Sequence, residues 1–469
     1  MSRPHLLYVA WGFPPSRGSG VYRALATANA FAADGWDVTV ITTDREMWDR
    51  YTGSDAALEE RIDPRIELVR VPFAWPGMET DLRRFSRARV YAPGVWRRLR
   101  QRLDVRDFPE RNYGTWRKPI ERAALEVHGR KPVDLAVATA NPNVAFTAPW
   151  KLFQAHGVPF VMDYRDAWSL NTFTGGRLTE PGSEAAQLER SLLADATEAW
   201  FVNDPIAEWH REEYPESAAK MKVVMNGWDP ELDPGQPSQP APDDRPLRFG
   251  YVGTVTPVVP MKEFLDGWRA AYDDPALAGS EALLYGFLGF YRTPRADLAA
   301  LVKTGSDVGV RYLGPLSRTA LGEVYRDFDA LLLLQGPGRY ITGGKLFDYL
   351  STGLPIVSVQ DASGHAHALL DGYPLWFRAE SMDADDVGAA LVAAAAAART
   401  HDPERRAAAY DFAQQFRRDR QLEPRIRALR ALVAPGTDPG TGPDAGTERD
   451  PDARPETLPD TDTSPEATA

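Results

Sequence analysis

Residues 343–359 read GGKLFDYLSTGLPIVSV, and this stretch says more about the chain than any other. The pattern predicts a glycine turn, then a short helix closed by a glycine and a proline, and then a buried strand. A helix N-terminus carries free backbone N–H groups that attract anions, and Lys345 adds a positive charge there. Asp348 lies one turn further along the helix. Together these groups suit a ligand that combines phosphate with a hydroxyl-bearing sugar.

Short apolar runs alternate with helical patterns on both sides of this stretch. The alternation predicts an α/β fold with two parallel, doubly wound sheets. In the first half the predicted strands are Leu6–Ala10, Trp36–Ile41, Ile66–Val71, Leu135–Thr139, Pro159–Met162, Ala199–Val202 and Lys222–Met225. In the second half they are Leu247–Val252, Ala282–Leu288, Val308–Leu313, Ala330–Leu334 and Ile356–Val359. Ligands of such sheets bind at the carboxyl ends of the strands, so we expect the site there.

Shifts in composition divide the chain into five parts. We expect a Rossmann-like domain over residues 1–228, a proline-rich linker over 229–246 and a second Rossmann-like domain over 247–402. Residues 403–433 read as charged helices that cross back to the first domain. Residues 434–469 are rich in Pro, Gly, Thr, Asp and Glu, which predicts a disordered acidic tail.

The net charge of the chain is unevenly placed. Of the formal −12, residues 436–469 contribute −7 from nine acids and two arginines, which leaves −5 for the rest. A body of that sign is a poor candidate for nucleic-acid binding. The chain has no cysteine, which excludes disulfides, thiolate metal sites and cysteine nucleophiles. The sequence shows no signal-peptide pattern and no apolar run of about 18–20 residues, so we expect a cytoplasmic protein.

An insertion over residues 75–131 interrupts the first domain. Its residues 83–131 hold fifteen Arg or Lys and five Asp or Glu, and tyrosines and tryptophans are interleaved with them. Such a segment is typical of a solvated helical face. The alternative is a surface that faces a substrate or makes peripheral contact with the inner face of a membrane.

Two further motifs follow predicted strands of the first domain. Residues 12–23 read GFPPSRGSGVYR, which is not the dinucleotide fingerprint because Arg23 stands where a third glycine is expected. Residues 163–168 read DYRDAW and place two carboxylates around an arginine. By itself the first motif also fits a plain βα loop, and the second fits a local ion-pair cluster.

These motifs together resemble the GT-B glycosyltransferases, family 4 in particular. In that family a glycine cluster and an arginine follow the first strand, and the donor segment has a carboxylate, one turn of helix and Gly-x-Pro. The D-x-R-D-x-W pattern at residues 163–168 is similar to a branch that includes deoxyaminosugar and exopolysaccharide transferases. The segments 108–111 and 141–143 resemble that branch as well.

The resemblance implies a role for each matched residue. Donor binding falls to Gly18, Gly20, Gly253, Thr342, Gly343, Gly344 and Asp348. Catalysis falls to Arg165, Asp166, Lys262 and Lys345, and acceptor binding to Arg23, Asp163 and Trp168. Two positions depart from the family pattern: Tyr340 replaces a glutamate, and the arginine that usually accompanies Lys262 is missing.

The activity implied by the resemblance is retaining glycosyl transfer without a metal or other cofactor. A sugar would move from a nucleotide-diphosphate sugar to a hydroxyl of a sugar, lipid-linked or small-molecule acceptor, in bacterial polysaccharide, glycolipid or natural-product biosynthesis. Two alternatives stay open. One is a non-catalytic nucleotide-sugar-binding protein of the same fold, and the other is a nucleotide-sugar 2-epimerase, which would need carboxylates and histidines in the cleft.

Overall fold

The computed structural model describes residues 3–434 except residues 19, 231–244, 290–293, 317–319, 362 and 401. Nearly all of the predicted linker and tail therefore lies outside the described residues. Within the described part the chain forms two parallel sheets with helices around them, which confirms the predicted α/β class. No helix in this part is both long enough and apolar enough to cross a membrane.

The N-terminal sheet has seven strands in the order β3-β2-β1-β4-β5-β6-β7. All neighbouring pairs are parallel, with Leu7 of β1 opposite Thr39 of β2 and Ala136 of β4. Its strands are β1 (His5–Val9), β2 (Asp37–Thr43), β3 (Glu67–Val71), β4 (Leu135–Thr139), β5 (Phe160–Tyr164), β6 (Glu198–Phe201) and β7 (Met221–Val223).

The C-terminal sheet has six parallel strands in the order β10-β9-β8-β11-β12-β13. Its central strand β11 is buried along its whole length, as expected for a parallel strand covered on both faces. Its strands are β8 (Arg248–Val252), β9 (Glu281–Tyr285), β10 (Val310–Gly314), β11 (Ala330–Gln335), β12 (Ile356–Gln360) and β13 (Trp376–Arg378).

Helices connect the strands and cover both faces of the two sheets. In the N-terminal domain they are α1 (Val21–Ala33), α2 (Arg45–Met47), α3 (Arg87–Tyr91), α4 (Pro93–Arg106), α5 (Arg117–Arg130), α6 (Thr147–His156), α7 (Glu184–Asp195) and α8 (Asp204–Glu213). In the C-terminal domain they are α9 (Met261–Ala271), α10 (Ala296–Lys303), α11 (Leu321–Arg326), α12 (Gly344–Leu350), α13 (Ala366–Leu370) and α14 (Ala384–Thr400). Two more, α15 (Pro403–Ala413) and α16 (Arg418–Val433), follow.

Helix α16 packs on the N-terminal domain although it follows the C-terminal one in sequence. Leu422, Ile426 and Leu429 recur at helical spacing and are buried in one cluster with Leu25 and Phe31 of α1. The chain enters this helix beside Trp228, whose indole N–H donates to Ala413 O at 2.8 Å. The two domains are therefore joined by a second, well-packed connection.

Strand β5 extends two residues beyond its predicted end. The sequence pattern ends the fifth strand at Met162, before the first charged residue, but β5 continues through Asp163 and Tyr164. A buried carboxylate is tolerated there because Arg23 pairs with it. The pattern also misses β13, whose three residues are too few to show an alternation.

The strand order reverses between β1 and β4 in the first sheet and between β8 and β11 in the second. Such switch points leave a crevice at the carboxyl ends of the strands, because the connections leave the sheet in opposite directions. The glycine-rich loop at residues 10–20 follows β1, and residues 336–343 follow β11. The fold thus places the two motifs at equivalent points of facing domains.

Candidate active site

The two domains enclose a cleft with a cavity of about 500 Å³. That volume lies within the range of small-molecule sites, about 300–1,000 Å³. The described residues that line it come from both domains. From the N-terminal side they include Tyr22, Arg23, Arg165, Asp166, Phe173 and Asn226, and from the C-terminal side Gly253, Tyr325, Tyr340, Thr342, Gly344, Lys345 and Asp348.

Lys345 has an unusual environment for a charged side chain. Its Nζ donates to Leu334 O at 2.8 Å and to the Tyr251 hydroxyl at 3.3 Å, and it lies 4.4 Å from the centre of the Tyr251 ring. None of these partners carries a negative charge. Removal from water lowers the pKa of Lys345 to about 7. Within the described part of the chain, the ammonium therefore has no anionic partner where it lines the cleft.

Helix α12 presents this lysine because its other face is firmly buried. Leu346, Phe347, Tyr349 and Leu350 pack into the C-terminal core, and the Tyr349 hydroxyl accepts from Val252 N at 2.8 Å. Asp348 points away from that core and lines the cleft with Lys345. The predicted short helix and its stop are confirmed, with Gly353 in the left-handed region at φ +65°.

Gly253 follows β8 and lies against Lys345 of α12. A Cβ added to it would stand 3.4 Å from Lys345 Cδ. On its other side Gly286 approaches so closely that a Cβ there would lie 1.9 Å from Gly253 O. Only glycine fits position 286 without moving the backbone that carries Gly253.

Arg165 bridges the two predicted N-terminal motifs. Its guanidinium donates to Asp166 Oδ2 at 2.7 Å, and Asn141 Nδ2 donates to the same oxygen at 3.4 Å. The guanidinium also lies over Gly20, where a Cβ would stand 1.2 Å from Nη1. Gly20 is therefore required for the position of Arg165. Gly18 and Gly20 line a smaller cavity of about 170 Å³ that shares Arg165 with the cleft.

Arg23 and Asp163 form a buried ion pair. Nη2 of Arg23 lies 2.6 Å from Asp163 Oδ1, and the two side chains are 4% and 0% exposed. The remaining Nη1 donates to Val224 O at 2.9 Å. Burial alone would lower the pKa of Arg23, but the Asp163 carboxylate outweighs it, so the pKa is raised. The pair ties α1 to β5 and to the chain after β7, and only Arg23 reaches the cleft wall.

Trp168 is buried under the loop that carries Arg165 and Asp166. Its ring stacks on Phe108 at 5.1 Å, and it is not among the residues that line the cleft. Nearby, Glu110 accepts from Asn143 N at 3.0 Å and Val144 N at 2.9 Å. Burial raises the pKa of Glu110 to about 7. The three segments that resemble one family branch thus meet at a single place.

Lys262 lies outside the cleft. Its side chain is 70% exposed at the start of α9, and its Nζ pairs with Asp266, one turn further along the same helix. The hydrogen bond that its Nζ donates to the Asp266 carboxylate raises the pKa of Lys262. The two lysines that the resemblance assigns to one leaving group are not brought together in this structure.

Tyr340 contacts the opposite domain. Its ring packs against the N-terminal core and lies 3.1 Å from where a Cβ on Gly175 would stand. Asn203 Nδ2 donates to Tyr340 O at 3.0 Å and to Thr342 Oγ1 at 3.1 Å. Tyr340, which stands where the family pattern has a glutamate, therefore helps to hold residues 336–343, the predicted donor loop, against the N-terminal domain.

Sequence reasoning missed Asn203 and Tyr251. Asn203 caps α8 through its side-chain oxygen, which accepts from Ile206 N at 2.9 Å, and an Asn before Asp-Pro after a strand is a recognisable cap signal. Its second role depends on a contact across 137 residues, which no local pattern carries. Among the described residues no group of three or more His, Asp or Glu is placed to hold a metal ion.

Comparison with known proteins supports the resemblance to the GT-B glycosyltransferases of family 4. Residues 18–227 match the family model described as "Glycosyl transferase 4-like domain". No curated protein sequence matches this chain.

Solved structures share the architecture at low sequence identity. A glycosyltransferase from Rickettsia africae has a TM-score of 0.63 at 10% identity, covering 92% of this chain and 99% of that one. Anabaena HepE in complex with UDP has a TM-score of 0.58 at 14% identity, covering 92% and 100%. A protein described as a putative UDP-N-acetylglucosamine 2-epimerase from Listeria monocytogenes has a TM-score of 0.54 at 11% identity, covering 92% and 97%. The chain has the GT-B fold, with an N-terminal domain similar to family 4.

Proposed function

We propose that this protein is a retaining glycosyltransferase that moves a sugar from a nucleotide-diphosphate sugar to an acceptor hydroxyl. One observation carries the proposal. In a cleft of about 500 Å³ between the two domains, a lysine ammonium that pairs with no anion of the described residues stands one helical turn from a carboxylate. A diphosphate linked to a ribose offers matching groups in the same order, with an anion for the lysine and hydroxyls for the carboxylate.

In this proposal the donor lies against the C-terminal domain. The diphosphate accepts from Lys345 and from the amides at residues 343–344, while Asp348 accepts hydrogen bonds from the ribose hydroxyls. Thr342 and Gly253 form the adjoining wall of the cleft. The complex of Anabaena HepE with UDP, a protein of the same fold, supports a nucleoside diphosphate as the ligand class.

The reaction needs charge stabilisation more than covalent chemistry from the protein. As the bond between sugar and phosphate loosens, negative charge grows on the leaving diphosphate, and Lys345 and the helix amides stabilise it. Arg165 and Asp166, at the facing edge of the cleft, orient the sugar and the acceptor. The acceptor hydroxyl attacks on the face that the diphosphate leaves and gives its proton to the departing phosphate oxygen as the sugar–phosphate bond breaks, so the anomeric configuration is retained. Lysine takes the part that a divalent ion plays in other transferases.

A non-catalytic nucleotide-sugar-binding protein is the second candidate, and two observations favour it. Tyr340 stands in place of a carboxylate and packs on the other domain, and Lys262 pairs with Asp266 outside the cleft. The 2-epimerase alternative has less support, because no histidine is present among the described residues that line the cleft.

A thermal-shift screen against UDP-, GDP- and dTDP-sugars, followed by product analysis, tests the proposal. Ligand at about 100 times its Kd should stabilise the protein by roughly 2.7 kcal/mol. With the selected donor and candidate sugar, lipid-linked or small-molecule acceptors, NMR should show a glycoside with the donor's anomeric configuration, and EDTA should leave the rate unchanged. Tight binding without transfer or donor hydrolysis would favour the binding protein, and an inverted product would refute the retaining mechanism.

A further inference from the structure

The exposed side of residues 82–106, the arginine surface, carries an apolar stripe that faces solvent. On α4, Val95, Leu99 and Leu103 are 66%, 56% and 37% exposed. They follow one another at a spacing of four, so they lie along one side of a helix about 21 Å long. Ordinary surface helices turn such a stripe toward the core.

Exposed apolar side chains are concentrated in this part of the molecule. Eight of the fifteen exposed large apolar residues in the described chain fall between residues 78 and 105. Leu82, Val90 and Tyr91, beside the stripe in sequence, are 74%, 53% and 84% exposed. Single exposed apolar residues need no explanation, but a contiguous set bordered by charge marks an interaction site.

Arginines border the stripe. Residues 82–106 contain nine arginines and one aspartate. Arg98 and Arg102 stand three positions after Val95 and Leu99, on the neighbouring side of the helix. Among the described residues Arg97, Arg98 and Arg102 form no ion pair, whereas Arg100 is satisfied by Asp104 at 2.7 Å. Arg83 and Arg84 pair with Asp81, and Arg106 pairs with Asp107, so pairing with acids leaves the charge of Arg97, Arg98 and Arg102 unexplained.

The orientation of α4 is fixed by its inner face. Asp104 is buried there, and its backbone oxygen approaches Gly114 so closely that a Cβ on Gly114 would lie 1.9 Å away. At the other end, the Arg89 guanidinium of α3 lies 4.7 Å from the centre of the Trp96 ring. The helix cannot roll its apolar stripe inward without losing both contacts.

We propose that the arginine surface docks on a membrane that contains anionic lipids. An amphipathic helix with apolar residues on one side and arginines beside them lies in the headgroup plane, where its apolar side chains enter the lipid. The arginines complement anionic headgroups, and Tyr91 and Trp96 are residue types that are enriched at the interface between membrane and water. The inference rests on exposure and charge alone and does not depend on the proposed activity.

Sedimentation with vesicles tests the inference on the full chain. With vesicles of 30% phosphatidylglycerol in phosphatidylcholine at low salt, the protein pellets; with pure phosphatidylcholine, or as salt rises, it stays in the supernatant. The triple variant Arg97→Gln, Arg98→Gln, Arg102→Gln binds about 100-fold more weakly, because each arginine near an anionic surface contributes about a factor of five. The variant Val95→Ser with Leu99→Ser weakens binding at every salt concentration.

Matched controls separate the surface from general charge and folding. Arg420→Gln with Arg427→Gln removes charge from α16, and Leu432→Ser removes an apolar side chain that is 45% exposed there. Both controls should pellet like the wild type, and all variants should keep its melting temperature.

Two results would overturn the inference. One is a full chain that stays in the supernatant with anionic vesicles at low salt; pelleting only after truncation at Ala434 would then show that the acidic tail, with its net −7, occupies the arginines instead. The other is an equal loss of binding in the α16 controls.

Discussion

Lys345 and Lys262 carry the same predicted role, but they stand in opposite surroundings. Lys345 lines the cleft between two neutral oxygens, and its pKa falls to about 7 because water is removed from it. Lys262 is exposed on α9, and its partner Asp266 raises its pKa. A lysine whose partners are all neutral can bind an anionic ligand, whereas a lysine already paired with a carboxylate is less available. A sequence motif does not show which of the two situations a lysine is in.

The largest effect is expected from Lys345→Met. Loss of a preorganised group that stabilises the leaving group costs about 100-fold or more in kcat/KM, measured with the donor that the ligand screen selects. The control is the melting temperature of the free variant, which should be equal or higher because an ammonium with only neutral partners is costly to bury. Near wild-type turnover would remove Lys345 from the mechanism.

The pH dependence of donor affinity should be the next largest effect. The free protein binds a proton at Lys345 with a pKa of about 7, and a bound diphosphate raises that pKa. The Kd for the nucleoside diphosphate should therefore rise up to about tenfold per pH unit above pH 7. Titrations at pH 7, 8 and 9 test this. A pH-independent Kd in the wild type, or the same slope in Lys345→Met, would contradict it.

A smaller effect is expected where the domains meet. Asn203→Ser keeps an oxygen to cap α8 but removes the amide that donates to Tyr340 O and Thr342 Oγ1. Each such bond is worth about 0.5–1.5 kcal/mol, so the loss of both should raise KM for the donor by about fivefold or more and lower the melting temperature only slightly. Asn203→Ala, which also loses the cap, is the matched variant and should lower the melting temperature. Equal kinetics in Asn203→Ser and the wild type would show that the bridge is irrelevant to the donor loop.

The smallest effect is expected from Lys262→Ala. An exposed pair within one helix contributes little to stability, and its ammonium lies outside the cleft. The value of kcat/KM should stay within about twofold of the wild-type value, a difference that steady-state kinetics barely resolves. If this variant loses as much activity as Lys345→Met, the two domains close further during turnover than in this structure.

Sequence patterns predict those parts of the structure that depend on residues close together in the chain. The helix at residues 344–350, its stop at Gly353 and the two parallel sheets follow from periodicity and turn chemistry, and the structure confirms them. The same patterns placed Asp163 beyond its strand, because they cannot show that Arg23, 140 residues away, neutralises it. The bridge from Asn203 to the donor loop and the contact of Gly20 with Arg165 are long-range in the same way. The roles assigned to these residues remain predictions for the experiments above.

The most direct test of the central claim is the number of protons taken up when a nucleoside diphosphate binds. Calorimetric titrations at pH 8, in two buffers of different ionisation enthalpy, measure this number. A pKa near 7 that rises in the complex predicts an uptake between about half and one proton per site in the wild type, and almost none in Lys345→Met. Binding without proton uptake in the wild type, or with equal uptake in the variant, would contradict the account.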